Sequence, residues 1–152
     1  MKKHTFKIRW QDLDANRHVA NTAFMSLGID MRMFYFESIG LTQAYFAEHQ
    51  IGPVMLRESY FYIKEIMPFS EVTITLKLVG LSEDNKFMKF RHEYFSGGEL
   101  SAVCNFIFVI FSLEHRKMII APDKLLTALT SVEKADDYKV LTKNEIKRPW
   151  TN

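Results

Sequence analysis

Cysteine is almost missing from this chain of 152 residues: Cys104 stands alone, which excludes an internal disulfide and fits a reducing compartment. It sits in Val103-Cys104-Asn105-Phe106, inside an apolar stretch with no expected helix start or cation to favour a thiolate, and reads as core, not nucleophile. Charge of one sign is scarce as well. The 20 basic and 18 acidic residues are spread along the chain, net +2, without a basic run, which argues against a nucleic-acid partner. Long apolar runs are lacking; Phe106 to Phe111 is the longest, far short of the roughly 20 residues a membrane span needs. The start, Met1-Lys2-Lys3-His4, has the charge of a secretion signal, but Lys7 and Arg9 break the apolar stretch that should follow, so a cytoplasmic location is expected. His4, His49, His92 and His115 show no metal-ligand spacing, so no metal is expected. Neither a Gly-rich phosphate loop nor a Gly-x-Ser-x-Gly elbow occurs.

Aromatic side chains, by contrast, are abundant: thirteen Phe, six Tyr and two Trp, with eight Met beside them. They either fill a large core or line a greasy binding surface, and composition does not separate the two. Apolar residues make up 47% and charged residues 25%, the balance of a globular chain, and the length suits one domain spanning 1–152.

Residues 4–10 alternate, with Phe6, Ile8 and Trp10 opposite Lys7 and Arg9, which is the period of a half-buried strand. A polar loop, Gln11 to Asn21, leads into a helix predicted over 22–39. Phe24, Leu27, Met31 and Phe34 form one stripe of that helix and Met25, Ile29 and Phe36 another, leaving only a narrow polar strip at Ser26, Asp30 and Glu37. A helix so apolar belongs inside a fold. Gly28 at its middle marks a close approach to a strand or ligand. Gly40 ends it, and Thr42 caps a short second helix to about Gln50.

The period then changes: 54–66, 71–81, 86–96 and 101–113 read as long strands joined by short turns, and so pair mainly antiparallel. The last of them is apolar on both faces and belongs between neighbours or in a subunit interface. A brief apolar piece at 118–120 and a helix over 122–130 follow, while 131–152 is charged and weakly patterned, a loosely docked tail. The expected class is α+β, an antiparallel sheet of about five to six strands wrapped around one long central helix.

The densest cluster of reactive residue types is the loop from Asp12 to Asn21. Asp12, Asp14 and Asn16 match positions 1, 3 and 5 of a calcium loop, but Arg17 stands where the sharp turn needs Gly and Ala23 where a bidentate Glu is needed. Two readings stay open: capping and turn-making by short polar residues, or a carboxylate and an imidazole beside a helix start whose free N–H groups hold an oxyanion.

The run Arg9 to Arg32 resembles the signature of the 4-hydroxybenzoyl-CoA-type, acyl-CoA thioesterase branch of the hotdog fold: a strand, D-x-D-x-x-G-H-V-x-N, then a long helix often holding E-x-A-R. Asp12, Asp14, His18, Val19, Asn21 and Arg32 match it, whereas Arg17 replaces the Gly and Ala20 an Asn. The order of elements to about residue 130 agrees as well. The resemblance implies hydrolysis of an acyl-CoA or acyl-carrier thioester at a dimer interface, in a homodimer or dimer of dimers, with coenzyme A as part of the substrate and no further cofactor. It implies Asp14 as nucleophile or general base and the backbone N–H at Asn21 as polariser of the thioester carbonyl. His18 orients Asp14, touches substrate or only steadies the turn; Arg17 is a candidate cation for the coenzyme A phosphates. Tyr60, Phe61 and Tyr62 line the acyl pocket or pack the sheet, and Glu58 is either a second acid or an edge residue facing water. An acyl-CoA hydratase, or a noncatalytic acyl-thioester-binding subunit, are the competing expectations.

Overall fold

Apolar, β-branched and aromatic side chains crowd 51–62, 71–82, 88–96 and 99–112, with clear alternation over 88–96, and these four become the long strands of one sheet. The computed structural model describes residues 2–147. In chain order they form β1 (Lys2–Lys7), α1 (Asn21–Ser38), α2 (Gln43–Glu48), β2 (Ile51–Tyr62), β3 (Glu71–Ser82), β4 (Met88–Ser96) and β5 (Glu99–Ser112). There follow β6 (Lys117–Ile119), α3 (Asp123–Thr130), β7 (Lys134–Leu141) and a final turn of helix, α4 (Lys143–Ile146). The main path of the sheet runs β1-β3-β4-β5-β2, every pair antiparallel.

Seven strands replace the expected five to six, because β6 pairs with β5 past the end of β4 and β7 pairs with β3 past the end of β1. Part of the charged C-terminal segment is therefore a strand, and it runs parallel to β3. Gly80 allows this: a Cβ there would come within 2.5 Å of the Lys139 carbonyl oxygen. Residues 148–152 of that segment lie outside the described residues.

One face of α1 packs on the sheet through Phe24, Leu27, Met31, Tyr35 and Phe36, each removed almost wholly from water and worth roughly 1.5–3 kcal/mol in burial. The second stripe is covered only at Phe36: Met25 and Ile29 stay 46% and 45% exposed, and Phe34, assigned to the buried stripe by period alone, is 42% exposed beside His4 of β1. A single sheet covers one side of a helix, so a helix apolar on most sides keeps part of that surface open.

The close approach read from Gly28 is real. A Cβ at that position would lie 2.6 Å from Tyr94 Oη, 3.5 Å from His92 Cδ2 and 3.7 Å from Tyr60 Oη. Successive turns of α1 meet alternate residues of β2: the Phe24 ring lies edge-on to Tyr62, Gly28 faces Tyr60, and Arg32 Nη1 bonds Glu58 Oε1 at 2.8 Å. Glu58 is neither an edge residue facing water nor free. It and Arg32 are only 15% and 14% exposed, and the guanidinium also covers the Phe106 ring.

Beneath Gly28 the sheet is polar. His92 is wholly buried, its Nδ1 donating to the Thr75 carbonyl at 2.8 Å, since a carbonyl can only accept; burial holds the imidazole pKa down to about 3, so it is neutral. Tyr94 donates to the Phe24 carbonyl at 3.0 Å. Cys104, on β5, is buried and its thiol is pushed up to about 11 by that burial, the environment of a core residue.

Gly→Ala within a helix ordinarily stabilises by about 1 kcal/mol. Gly28→Ala should instead destabilise by about 1–3 kcal/mol, because the new methyl must displace a buried, hydrogen-bonded Tyr94. Urea unfolding measures the sign.

Candidate active site

Between β1 and α1 the chain makes a small closed loop. Leu13 and Val19 pair as an isolated bridge, the Asp14 N–H donates to the His18 carbonyl at 3.0 Å, and the Arg17 N–H returns to the Asp14 carbonyl at 3.1 Å. The Val19 N–H donates to Ile66 past the end of β2 and the Ala20 N–H to the Asp12 carbonyl, tying the loop to the sheet and to its own stem.

The two aspartates of the loop have different work. Asp12 is buried and takes three hydrogen bonds from Arg9: the backbone N–H at 2.8 Å, Nε at 3.1 Å and Nη2 at 2.9 Å. The Arg9 side-chain bonds hold the Asp12 carboxyl below the usual carboxylate range. Its support of the loop is therefore full at neutral pH and is lost as pH falls through that lowered value. Every oxygen of Asp12 is occupied, so it is a strut. Asp14 is 31% exposed; its Oδ1 accepts from the Asn16 N–H at 2.8 Å, while Oδ2 lies 3.6 Å from His18 Nδ1 and is left for other contacts.

Asp14, His18 and Asn21 line one cleft of about 410 Å³. Phe24 and Tyr62 form its apolar side, and Ile63, Lys64 and Glu65, just past β2, close the far wall. These last three are cleft residues that the reading of the sequence missed. No spacing signals them: they lie more than forty residues from the loop and arrive because Val19 bonds the Ile66 carbonyl. Phe61, by strand alternation, points to the other face of the sheet and stays exposed, away from Tyr60 and Tyr62. Arg17 does not line the cleft; its side chain is exposed.

Arg17 does take the backbone shape that the substitution put in question. Its φ is 67°, the left-handed region that a glycine adopts freely and an arginine at a cost of roughly 1–2 kcal/mol. The loop thus keeps a glycine-type turn with a cation on it. At the start of α1 the N-cap is Ala20, whose methyl group has no atom to accept a hydrogen bond, so no side chain of the cap fills the first-turn N–H groups. The Ala23 N–H turns back to the Ala20 carbonyl at 2.9 Å, and Asn21, the first residue of α1, lines the same cleft as Asp14. Among the described residues no three His, Cys, Asp or Glu side chains gather as a metal site would require.

The arrangement suits attack on a carbonyl: a carboxyl group and a helix start line one cleft, with an apolar side beside them. Solved structures with this fold agree in architecture. A 1,4-dihydroxy-2-naphthoyl-CoA thioesterase from Synechocystis superposes with a TM-score of 0.76 at 14% identity, covering 85% of this chain and 95% of that one. The probable thioesterase YbaW from Escherichia coli gives 0.72 at 20% identity, covering 88% and 100%. A Staphylococcus aureus protein solved in complex with CoA gives 0.79 at 16% identity, covering 99% and 94%. No curated protein matches by sequence. At these identities the structures speak for fold alone, but the family model of the thioesterase-like superfamily matches residues 8–129 directly. The chain therefore belongs to the thioesterase-like superfamily and is a thioester hydrolase.

Proposed function

We propose that the thioester is an acyl-CoA and that Asp14 carries the chemistry. The observation that supports this is the shared cleft: a half-exposed carboxylate with a free oxygen stands across from the start of α1. The acyl group lies against Phe24 and Tyr62, with its carbonyl oxygen taking the N–H at Asn21. Asp14 then attacks the carbonyl carbon, expelling the coenzyme A thiolate and leaving an anhydride that water opens, or it takes a proton from the water that attacks. Either route consumes one water and yields acid and thiol. His18, 3.6 Å from Asp14, orients the carboxylate. A related fold solved with CoA suits this ligand class.

A second copy of the chain completes the site in this reading. β2 ends the main path of the sheet, is twelve residues long, and has no strand on its outer edge among the described residues. Val54, Met55 and Leu56 on it, Tyr62 and Ile63 at its end, and Met25 and Ile29 on the adjoining stripe of α1 are exposed. A long apolar edge left open invites pairing. The homodimer buries that edge, next to the cleft wall at Tyr62 and Ile63.

Asp14→Asn should lower kcat for an acyl-CoA panel by at least about 100-fold with little change in thermal stability, measured as free-thiol release. Equal rates in wild type and variant would remove Asp14 from the mechanism; binding of acyl-CoA without turnover in the wild type would favour a binding subunit.

Arg17→Gly separates loop shape from charge. It should leave or raise stability, since glycine suits a φ of 67°, and should raise KM for acyl-CoA several-fold with kcat nearly unchanged if the guanidinium meets the coenzyme A phosphates. An unchanged KM would confine Arg17 to the turn.

Leu56→Lys on the open edge should shift the molecule from dimer to monomer in sedimentation equilibrium. A wild type that sediments as one chain would overturn the dimer.

A further inference from the structure

The groove between α1 and β2 holds two cavities on the same face. The first is the cleft at Asp14, bounded by Phe24 and Tyr62. The second, of about 270 Å³, is lined mostly by apolar atoms of Ile29, Met33, Phe36, Met55 and Phe108, with the Arg32–Glu58 pair at its side. In the ladder of contacts between helix and strand, the first cavity ends at the Phe24–Tyr62 rung and the second begins at Arg32–Glu58. The one rung between them is Gly28–Tyr60.

Tyr60 spans that rung. Its ring stacks on Tyr62 with centroids 6.0 Å apart, and its hydroxyl reaches to 3.7 Å from where a Cβ of Gly28 would be. The hydroxyl is buried and finds no hydrogen-bond partner among the described residues. Its polar neighbours are the Tyr94 hydroxyl and the Cys104 thiol, and the missing side chain at Gly28 makes the room the ring fills. Measured along the helix, Asn21 to Gly28 is seven residues, about 10 Å at 1.5 Å each.

We infer that Tyr60 sets the length of acyl group this enzyme accepts, by closing the groove between the two cavities. The inference rests on the thioesterase reading of the first cleft. An aromatic or short acyl group held at Asn21 fits before Tyr60. A long chain must displace the ring to enter the second cavity, which is apolar enough to receive it but lies on the far side.

The test is a chain-length series run in two ways, as hydrolysis of acetyl- through palmitoyl-CoA together with benzoyl-CoA, and as calorimetric binding of the matching non-hydrolysable S-alkyl coenzyme A thioethers. The wild type should favour the short and aromatic members. Tyr60→Ala should raise kcat/KM and affinity for the long members by at least about tenfold relative to the short ones. Tyr60→Phe, which keeps the ring and drops only the hydroxyl, should retain the wild-type length preference; should Tyr60→Ala not fold, Tyr60→Leu opens the rung partly and should shift the preference in the same direction. A folded Tyr60→Ala or Tyr60→Leu with the wild-type length preference in the binding series overturns the inference. Absence of turnover from every wild-type substrate would instead overturn the thioesterase reading, while the thioether series still reports on Tyr60.

Discussion

Four residues of α-helix rise about 6 Å and two residues of strand about 6.6 Å, so a helix laid antiparallel along a strand meets it rung for rung over a few turns. The functional half of this molecule depends on that match. Phe24 with Tyr62, Gly28 with Tyr60 and Arg32 with Glu58 are three consecutive rungs. The first makes the apolar wall of the cleft, the second brings two tyrosine hydroxyls under the helix, and the third fixes the register with a shielded ion pair. A pair so poorly hydrated adds little net stability, yet loss of either partner leaves a charge that is costly to leave alone. Its value is therefore in alignment: it penalises any slip of α1 along β2, and such a slip would carry the helix start away from Asp14.

The loop before α1 achieves the same end with different means. Asp12 spends all its acceptors on Arg9, which makes a rigid stem, and the stem leaves Asp14 with one oxygen uncommitted. Two identical side chains two residues apart thus become a strut and a carboxylate with one oxygen open to the cleft. The distinction comes only from which one Arg9 reaches. Arg17 shows that the turn between them is dictated by this closure: the bridge at Leu13 and Val19 holds φ at 67° despite the cost to a side chain with a Cβ.

Period and punctuation made most of the architecture legible. Runs of β-branched and aromatic residues between turn signals marked the four long strands, Gly28 marked a close approach, and the loop motif gathered Asp14, His18 and Asn21, which do line one cleft. What was hidden depended on distant partners. β7 docks through the room left at Gly80, the buried Ala135 and Leu141, and the Asp137 pair with Arg91, partners that lie more than forty residues earlier in the chain and leave little local pattern. Lys64 and Glu65 enter the cleft through one backbone bond at Ile66. Phe34 follows the buried stripe in period but falls beyond the width that one sheet covers. Glu58 gave only an anomaly, a charge in an apolar strand, and its meaning needed Arg32 from the helix.

The aromatic surplus that composition left ambiguous divides by layer. Phe90, Tyr94 and Phe106 are closed inside the sheet–helix interface, and their rings stack or meet edge to face there. Tyr60 and Tyr62 stand at the margin of that interface, where the sheet runs out and β2 has no outer neighbour among the described residues. Side chains at such a margin are held by packing from one side only, so they are the ones a ligand or a second chain can rearrange at least cost. The fold thus keeps its rigid aromatics in the middle and its adjustable ones beside the cleft. Changes at Tyr60 and Tyr62 would therefore reshape the cleft margin while leaving the Arg32–Glu58 rung in place.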